Sequence, residues 1–142
     1  MRCIGNNNNI TINNLTVSYS DHGPDDAPVI IFIHGFPLNK SMWNIQVEAL
    51  KENYRVIAYD IRGHGNSDPG IDEFFIELFV IDLLRLMEKL KIEKSILCGL
   101  SLGGYIALNA VLKHMISSEH QNTHKAYFTC VGSTKHPHTH SL

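Results

Sequence analysis

The residue of this chain best suited to nucleophilic chemistry is a serine between two glycines. Ser101 is the centre of a G-x-S-x-G pattern with Gly99 and Gly103, and the pattern lies between an apolar run at 95–98 and a helix-like run at 105–113. A serine in a sharp turn between a strand and a helix holds its hydroxyl in the open, and small residues two positions away on both sides make that turn possible. The unpaired N–H groups at the start of the helix would stabilise an oxyanion. The pattern therefore predicts that Ser101 is a nucleophile.

Two further segments with polar residues after an apolar run precede this pattern. The run 29–33 is followed by the sequence HGFP at 34–37, and the run 54–59 is followed by DIRGHGNSD at 60–68. Uniformly apolar, β-branched runs that end abruptly at Gly or Pro are typical of parallel strands buried on both faces. The three motifs are thus predicted at the carboxyl ends of parallel strands, where ligands bind in such sheets.

Three motifs in this order resemble the N-terminal half of the α/β-hydrolase fold, in its branch of small esterases, lactonases and related acyl hydrolases. The resemblance covers roughly residues 11–113. It implies an α/β fold whose mostly parallel sheet carries helices on both faces and is truncated after the helix that follows Ser101.

The resemblance also assigns roles to residues. Ser101 would attack the carbonyl of an ester, a lactone or a thioester, and the backbone N–H groups of Leu102 and Phe36 would form the oxyanion hole. The other motif residues would support the turn and the loops rather than react. They are His34, Gly35, Gly99, Gly103, Asp60, Arg62, Gly63 and His64.

Other roles for these polar residues fit the resemblance less well. His34 precedes the glycine of the oxyanion loop, where the family has a structural histidine, so it is not the expected base. Asp60 belongs to the second motif and Asp82 lies on a predicted helix, so neither is the expected triad acid. No metal or organic cofactor is implied. A serine nucleophile also disfavours the chemistry of the dehalogenase and epoxide-hydrolase relatives, which need a carboxylate.

The motifs do not include the catalytic partners of Ser101. The triad of the resembled family runs in the order Ser, acid, His, but only 41 residues follow Ser101, and a domain of this type has about 200 to 250 residues. We therefore expect the acid and the histidine to be missing and the activity of the chain to be impaired. Two alternatives are a non-catalytic binding module that retains the turn and a non-functional gene fragment.

The elements that must position the motifs have their own signals. Alternating runs at 9–13 and 15–20 predict a β-hairpin at the edge of the sheet. Ser41–Glu52 is predicted to be a helix with Ser41 as its N-cap, and Asp72–Leu90 a helix with acidic residues in its first turn. The apolar positions expected to be buried on the first helix are Met42, Ile45, Ala49 and Leu50.

The composition changes after Lys113. We take residues 1–113 as the hydrolase-like part and residues 114–142 as an atypical tail with six of the nine histidines. A frameshift or a miscalled gene end would explain this tail, and so would a shortened continuation in which 126–131 is a sixth strand. A third explanation is metal binding by alternating histidines, but no carboxylate or cysteine is fixed nearby, so disorder is favoured. Those histidines are His136, His138 and His140.

Bulk properties restrict the partners. The net charge is −2 without a basic stripe, which argues against nucleic acid. The absence of a long apolar stretch argues against a membrane span, and three scattered cysteines fit a reducing cytoplasm. The expected partner is a small-molecule acyl substrate. Half a sheet would expose an edge strand, so a homodimer through that edge is a further expectation.

Overall fold

Strands and helices alternate along most of the chain. The computed structural model describes residues 7–118 and 127–132. Its elements, in chain order, are β1 (Asn8–Ile12), β2 (Leu15–His22), β3 (Val29–Ile33), a 3-10 turn (Lys40–Trp43), α1 (Asn44–Leu50), β4 (Arg55–Tyr59), α2 (Ile76–Lys89), β5 (Ser95–Leu100), α3 (Leu102–Ser118) and β6 (Tyr127–Gly132).

The strands form one mixed sheet in the order β1-β2-β4-β3-β5-β6. β2 is antiparallel to both β1 and β4, whereas β3 is parallel to β4 and β5, and β5 is parallel to β6. Ile33 lies opposite Tyr59 on one side and Gly99 on the other. Because these residues are at or next to the ends of their strands, the segments that follow them meet at one edge of the sheet. The predicted α/β architecture is confirmed.

A tight hairpin begins the sheet. Asn13 and Asn14 have φ angles of 48° and 61°, and two consecutive residues in the left-handed region define the turn that matches the twist of paired strands. Asparagine tolerates this conformation better than other side chains because its short polar group bonds locally. The hairpin was predicted from the same two residues, and β1 lies at one edge of the sheet.

The two faces of the sheet carry separate apolar clusters. On one face, α2 and α3 pack their buried side chains against β3, β4 and β5, with Leu83, Leu86 and Ile106 almost completely buried. On the other face, the 3-10 turn and α1 cover a smaller cluster, in which the rings of Phe32 and Trp43 stack with centroids 4.6 Å apart. Apolar residues thus point to both sides of the central strands, as their uninterrupted apolar sequence predicted.

The first helix differs from its prediction. The cap is Asn39, whose Oδ1 accepts a hydrogen bond from Ser41 N–H at 2.9 Å, so the prediction that Ser41 is the N-cap was wrong. A 3-10 turn precedes α1 and changes the phase of the helix, since 3-10 geometry has three residues per turn. As a result Trp43 and Val47 are buried, whereas Ile45 is 81 % exposed.

The second helix starts later than predicted. α2 begins at Ile76, and Phe75 has an extended conformation before it. Phe75 is about half exposed and does not belong to the buried face. Asp72 lies four residues before the helix and forms an ion pair with Arg62 instead of occupying the first turn. Arg62 is close to Asp72 only in the folded chain, and this ion pair takes the place of the helix start that the local sequence predicted.

The sheet continues beyond α3. β6 pairs with β5 in register from Ser95 opposite Tyr127 to Leu100 opposite Gly132, close to the strand placed at 126–131 from the sequence. The alternating histidines considered above as metal ligands, at 136, 138 and 140, lie outside the described residues. None of the helices in the described segments is both long and apolar enough to cross a membrane.

Candidate active site

The turn at Ser101 is strained and exposed. Ser101 has a φ of 52°, a region that costs a residue with a Cβ roughly 1–2 kcal/mol. Its side chain is exposed, and its carbonyl accepts a hydrogen bond from Tyr105 N–H at 3.1 Å, so α3 begins immediately after it. The hydroxyl is thereby presented between the end of β5 and the first turn of α3.

Two glycines make this turn possible. A Cβ at Gly99 would collide with the backbone of Gly103, and a Cβ at Gly103 would collide with the carbonyl groups of Ile33 and His34. Gly103 therefore lets the start of α3 lie directly against the end of β3. The spacing of the G-x-S-x-G pattern has a steric cause on both sides of the serine.

The loop after β3 lies beside the serine. A Cβ built at Gly35 would be 3.4 Å from the Cβ of Ser101. The Gly35 carbonyl accepts a hydrogen bond from Leu38 N–H at 2.8 Å, which closes the turn. Among the described residues no acceptor is bonded to Phe36 N–H, and Leu102 is the first residue of α3, so its N–H has no acceptor within the helix. Two backbone N–H groups, one following Gly35 and one following Ser101, thus have no acceptor among the described residues.

His34 connects this loop to the loop after β4. It is completely buried, and its Nε2 accepts a hydrogen bond from Ile61 N–H at 2.9 Å. Since Nε2 is the acceptor, Nδ1 carries the proton and donates to the Gly35 carbonyl at 2.9 Å. Burial lowers the pKa of His34, so the ring is neutral. Both nitrogens are occupied, which agrees with a structural histidine rather than a base.

Asp60 is the centre of a buried network that the motifs did not reveal. Its Oδ1 accepts from Lys40 N–H at 2.8 Å, and its Oδ2 accepts from Lys40 Nζ at 2.9 Å and from Asn66 N–H at 3.0 Å. Lys40 Nζ also donates to Ser18 Oγ at 3.0 Å. Both carboxylate oxygens are therefore engaged in holding the loops after β3 and β4 against β2.

Sequence reasoning missed Lys40. The available signal was chemical: a carboxylate directly after a strand buried on both faces needs a cationic partner, and Lys40 is the one Lys or Arg in the stretch 34–43. Lys40 is only 8 % exposed, an unusual burial for a lysine that its ion pair with Asp60 explains.

Arg62 holds the loop after β4 against α2. Its Nε and Nη2 donate to the two carboxylate oxygens of Asp82, each at 2.8 Å, and its Nη1 donates to Asp72 at 3.2 Å. Asp82 also accepts from Asn13 Nδ2 at 2.9 Å. The hydrogen bonds with Asp82 are the main reason that the pKa of Arg62 is raised. Asp82 is thus committed to this forked pair and does not serve Ser101.

His64 packs between the two loops. Its Nδ1 donates to the Arg62 carbonyl at 3.0 Å, and its ring centroid is 5.1 Å from that of His34. The Phe36 ring meets it edge-on, with centroids 5.6 Å apart. Gly63 precedes it with a φ of 75°, and its Cα faces the ring of Phe74. The imidazole of His64 therefore contacts the side chain of Phe36, whose N–H has no acceptor among the described residues.

The fold brings some of the predicted site residues together around Ser101 and places the others beneath them. Gly35, Phe36 and Leu102 lie around the hydroxyl, whereas the four polar motif residues His34, Asp60, Arg62 and His64 form the layer below. Within the described residues, no carboxylate or imidazole is hydrogen-bonded to the Ser101 hydroxyl. In the described part of the chain the Ser101 hydroxyl therefore has no hydrogen-bonded base, and the buried Nε2 of His64 has no partner either.

A polar cleft of about 700 Å³ lies elsewhere on the molecule. Its lining includes Ser20, Asn44 and Asn66 together with the Lys40–Asp60 pair, but not Ser101, Phe36 or Leu102. All hydrogen-bonding oxygens of Asp60 are already satisfied by the protein. The convergence of donors at Ser101, rather than this cleft, therefore marks the candidate site.

Comparison with known proteins identifies the fold family. A family model described as alpha/beta hydrolase fold matches residues 28–140. The chain is similar to 3-oxoadipate enol-lactonase 1 of Acinetobacter baylyi, with 43 % identity over 93 residues that cover 66 % of this chain and 35 % of that protein. It is also similar to a bifunctional esterase/perhydrolase of Acinetobacter calcoaceticus, with 39 % identity over 66 % of this chain and 34 % of that protein.

A solved structure shows the same arrangement of elements. The enol-lactonase from Burkholderia xenovorans LB400 superimposes with a TM-score of 0.73 and 34 % sequence identity, over 76 % of this chain and 42 % of that one. The chain thus spans about a third of the length of the curated relatives that it matches.

Proposed function

The chain belongs to the α/β-hydrolase fold family, and on that premise we propose that Ser101 is the nucleophile of an acyl hydrolase acting on a small-molecule ester, lactone or thioester. One observation carries the proposal: Ser101 is held at a strained positive φ and is exposed, beside the loop in which Phe36 N–H has no acceptor among the described residues. Strain of this kind at an exposed nucleophile is typical of functional sites.

The proposed reaction is acyl transfer to water. Ser101 Oγ attacks the carbonyl carbon, and the oxygen that becomes negative accepts hydrogen bonds from Phe36 N–H and Leu102 N–H. The positive end of the α3 dipole adds to this stabilisation. Loss of one such donor slows acyl-transfer enzymes by about 10²–10³-fold. The alcohol or thiol leaves, and water then releases the acyl group from Ser101.

The proton acceptor is proposed to lie outside the described residues. His34 uses both ring nitrogens, and the carboxylates of Asp60 and Asp82 are taken up by Lys40 and Arg62. Without a base the serine alkoxide forms rarely, and loss of the triad histidine costs a serine hydrolase on the order of 10⁶-fold in turnover. Residual acceleration from the oxyanion donors remains at about 10³–10⁴-fold over water. The purified 142-residue chain is therefore expected to turn over esters very slowly.

Two further considerations support acyl transfer over other reactions of this fold. The names of the two curated relatives given above are a lactonase and an esterase/perhydrolase. Epoxide and haloalkane opening on this scaffold would require a carboxylate nucleophile to form an alkyl ester, and the residue at the turn is a serine. Fold membership alone would not make this choice.

The proposal is tested by following where an activated ester acylates the chain. The purified protein is incubated with p-nitrophenyl acetate at mildly alkaline pH, and acetylated peptides are located by mass spectrometry. We expect the peptide containing Ser101 to be acetylated faster than any other serine peptide, and Ser101→Ala to abolish that product. Ser41→Ala, at another exposed serine, is the matched control and should leave it unchanged. Acetylation spread evenly over exposed serines would contradict the proposal and favour a non-catalytic binding module.

A further inference from the structure

We propose that the Ser101 site takes uncharged acyl groups with an apolar chain in preference to acyl groups that carry a carboxylate. The inference rests on the proposed function of Ser101 and adds the substrate class. It follows from three features of the described loops after β3 and β4 and of the start of α3: exposed apolar side chains, cations that are already paired, and an excess of carboxylates.

The rim next to Ser101 is apolar and open. Phe36 is 71 % exposed, Tyr105 66 % and Leu38 42 %. Phe36 follows Gly35, whose Cα faces the Cβ of Ser101, and Tyr105 N–H is bonded to the Ser101 carbonyl. A substrate whose carbonyl oxygen binds Phe36 N–H therefore lies next to the residue that carries this exposed ring. Covering such a ring removes apolar surface from water, which favours a hydrocarbon substituent.

The cations of the surrounding loops are already neutralised. The segments 34–43 and 60–75, which form these loops, contain one lysine and one arginine, Lys40 and Arg62. Their side chains are only 10 % and 2 % exposed. Lys40 Nζ donates to Asp60 and Ser18, and all three guanidinium nitrogens of Arg62 donate to Asp82 or Asp72. In the described structure neither side chain is available to pair with a substrate carboxylate.

The same loops carry more negative than positive charge. Against two cations, the segments 34–43 and 60–75 contain four carboxylates, and Asp72 among them is 59 % exposed. The carboxylates are Asp60, Asp68, Asp72 and Glu73. A carboxylate on the substrate would lose part of its hydration at the apolar rim without gaining a charged partner. The apolar side chains of the rim and the net negative charge of these loops therefore both disfavour the binding of an anionic acyl chain.

Two esters of equal length test the inference on the chain as it exists. p-Nitrophenyl hexanoate and mono-p-nitrophenyl adipate both deliver a six-carbon acyl group, and they differ by one terminal carboxylate. In each case the bond between Ser101 Oγ and the carbonyl carbon forms, the bond to p-nitrophenolate breaks, and the hydroxyl proton passes to hydroxide. Acylation of the Ser101 peptide is followed by mass spectrometry, and each rate is divided by the rate of spontaneous hydrolysis of that ester.

We expect the normalised rate with the hexanoyl ester to exceed that with the adipoyl ester by about tenfold or more, because the carboxylate enters an unpaired environment. Equal rates, or faster acylation by the adipoyl ester, would overturn the inference while leaving Ser101 as the nucleophile. If neither ester acylates Ser101, the proposed function fails, and this inference fails with it.

A variant of the rim separates side-chain packing from oxyanion binding. Phe36→Ala keeps the backbone N–H and removes the ring, so its effect is read in the ratio of the acylation rates by the hexanoyl and the acetyl ester, in which any change of the oxyanion donors cancels. The hexanoyl-to-acetyl ratio should fall, by up to about fourfold for each methylene that loses its apolar cover. Ile71→Ala, at an apolar residue fully exposed in the loop before α2, is the matched control and should leave the ratio unchanged. An unchanged ratio in Phe36→Ala would overturn the role of the rim.

Discussion

The buried layer beneath the candidate site and the open rim around Ser101 use the same sequence motifs in opposite ways. In the layer, His34, Asp60 and Arg62 are at most 3 % exposed and are fully hydrogen-bonded. At the rim, Ser101 and Phe36 are exposed, and the groups proposed to act are one hydroxyl and backbone N–H groups. The polar side chains of the two earlier motifs thus hold loops, while the proposed chemistry is assigned to the Ser101 hydroxyl and to backbone N–H groups.

The largest expected effect comes from breaking the forked ion pair of Arg62 in the buried layer. Arg62→Met removes the partner of a buried carboxylate, Asp82, and should lower the free energy of unfolding by about 3–5 kcal/mol. The measurement is urea unfolding followed by circular dichroism. Arg85→Met is the matched control, because Arg85 and Glu88 form an exposed pair, and it should cost less than about 1 kcal/mol.

A double variant sharpens this test. Arg62→Met combined with Asp82→Leu leaves no unpaired buried charge, since Asp72 is largely exposed, so the stability should recover a large part of the loss. If Arg62→Met destabilised the chain no more than Arg85→Met does, the result would contradict a role of the buried ion pair in holding the loop after β4 against α2.

The neutral state of His34 makes a smaller, pH-dependent prediction. Burial lowers the pKa of His34 in the folded chain, so between the folded pKa and about 6.5 the unfolded chain binds a proton that the folded chain does not. Above about pH 6.5 His34 is neutral in both the folded and the unfolded chain, so this group does not reduce the free energy of unfolding there. As the pH falls below this value, the unfolded chain binds the proton, and the free energy of unfolding decreases by no more than about 1.4 kcal/mol per pH unit.

The measurement is the free energy of unfolding in urea at a series of pH values from about 7 downward. His34→Gln should flatten the profile in this range, whereas His22→Gln, at a histidine on β2 outside the layer, should not. A profile of the same slope in His34→Gln would show that other groups cause the acid sensitivity.

The smallest expected effect concerns the strain at the rim. Ser101→Gly should relieve the cost of the positive φ, roughly 1–2 kcal/mol, but adds entropy to the unfolded chain worth roughly 0.5–1 kcal/mol. The net gain in stability should be about 0.5 kcal/mol, while acylation is lost. Ser101→Ala keeps the Cβ and should not be stabilised. A destabilised Ser101→Gly variant would contradict strain at this turn.

Local patterns predicted the parts of the fold whose interactions are local or strictly periodic. The alternating runs around the asparagine pair predicted the hairpin, and uninterrupted apolar runs predicted β3, β4 and β5 because a strand covered on both faces needs them. The helix boundaries were less well predicted. Asn39, rather than Ser41, caps the first helix, although this hydrogen bond joins residues only two positions apart. Asp72 pairs with Arg62 instead of starting α2, and that partner lies ten residues away, outside the predicted helix.

The sequence by itself determined the identity and order of the motifs, since the contact between Gly99 and Gly103 that the turn at Ser101 requires lies within five consecutive residues. Only the tertiary structure decided which polar residues are consumed as scaffolding. Lys40 meets Asp60 and Arg62 meets Asp82 across twenty positions of sequence, and such pairings follow from how strands and helices pack. Because burial without a partner is costly for every charge, packing rather than residue type determined what remains available to react.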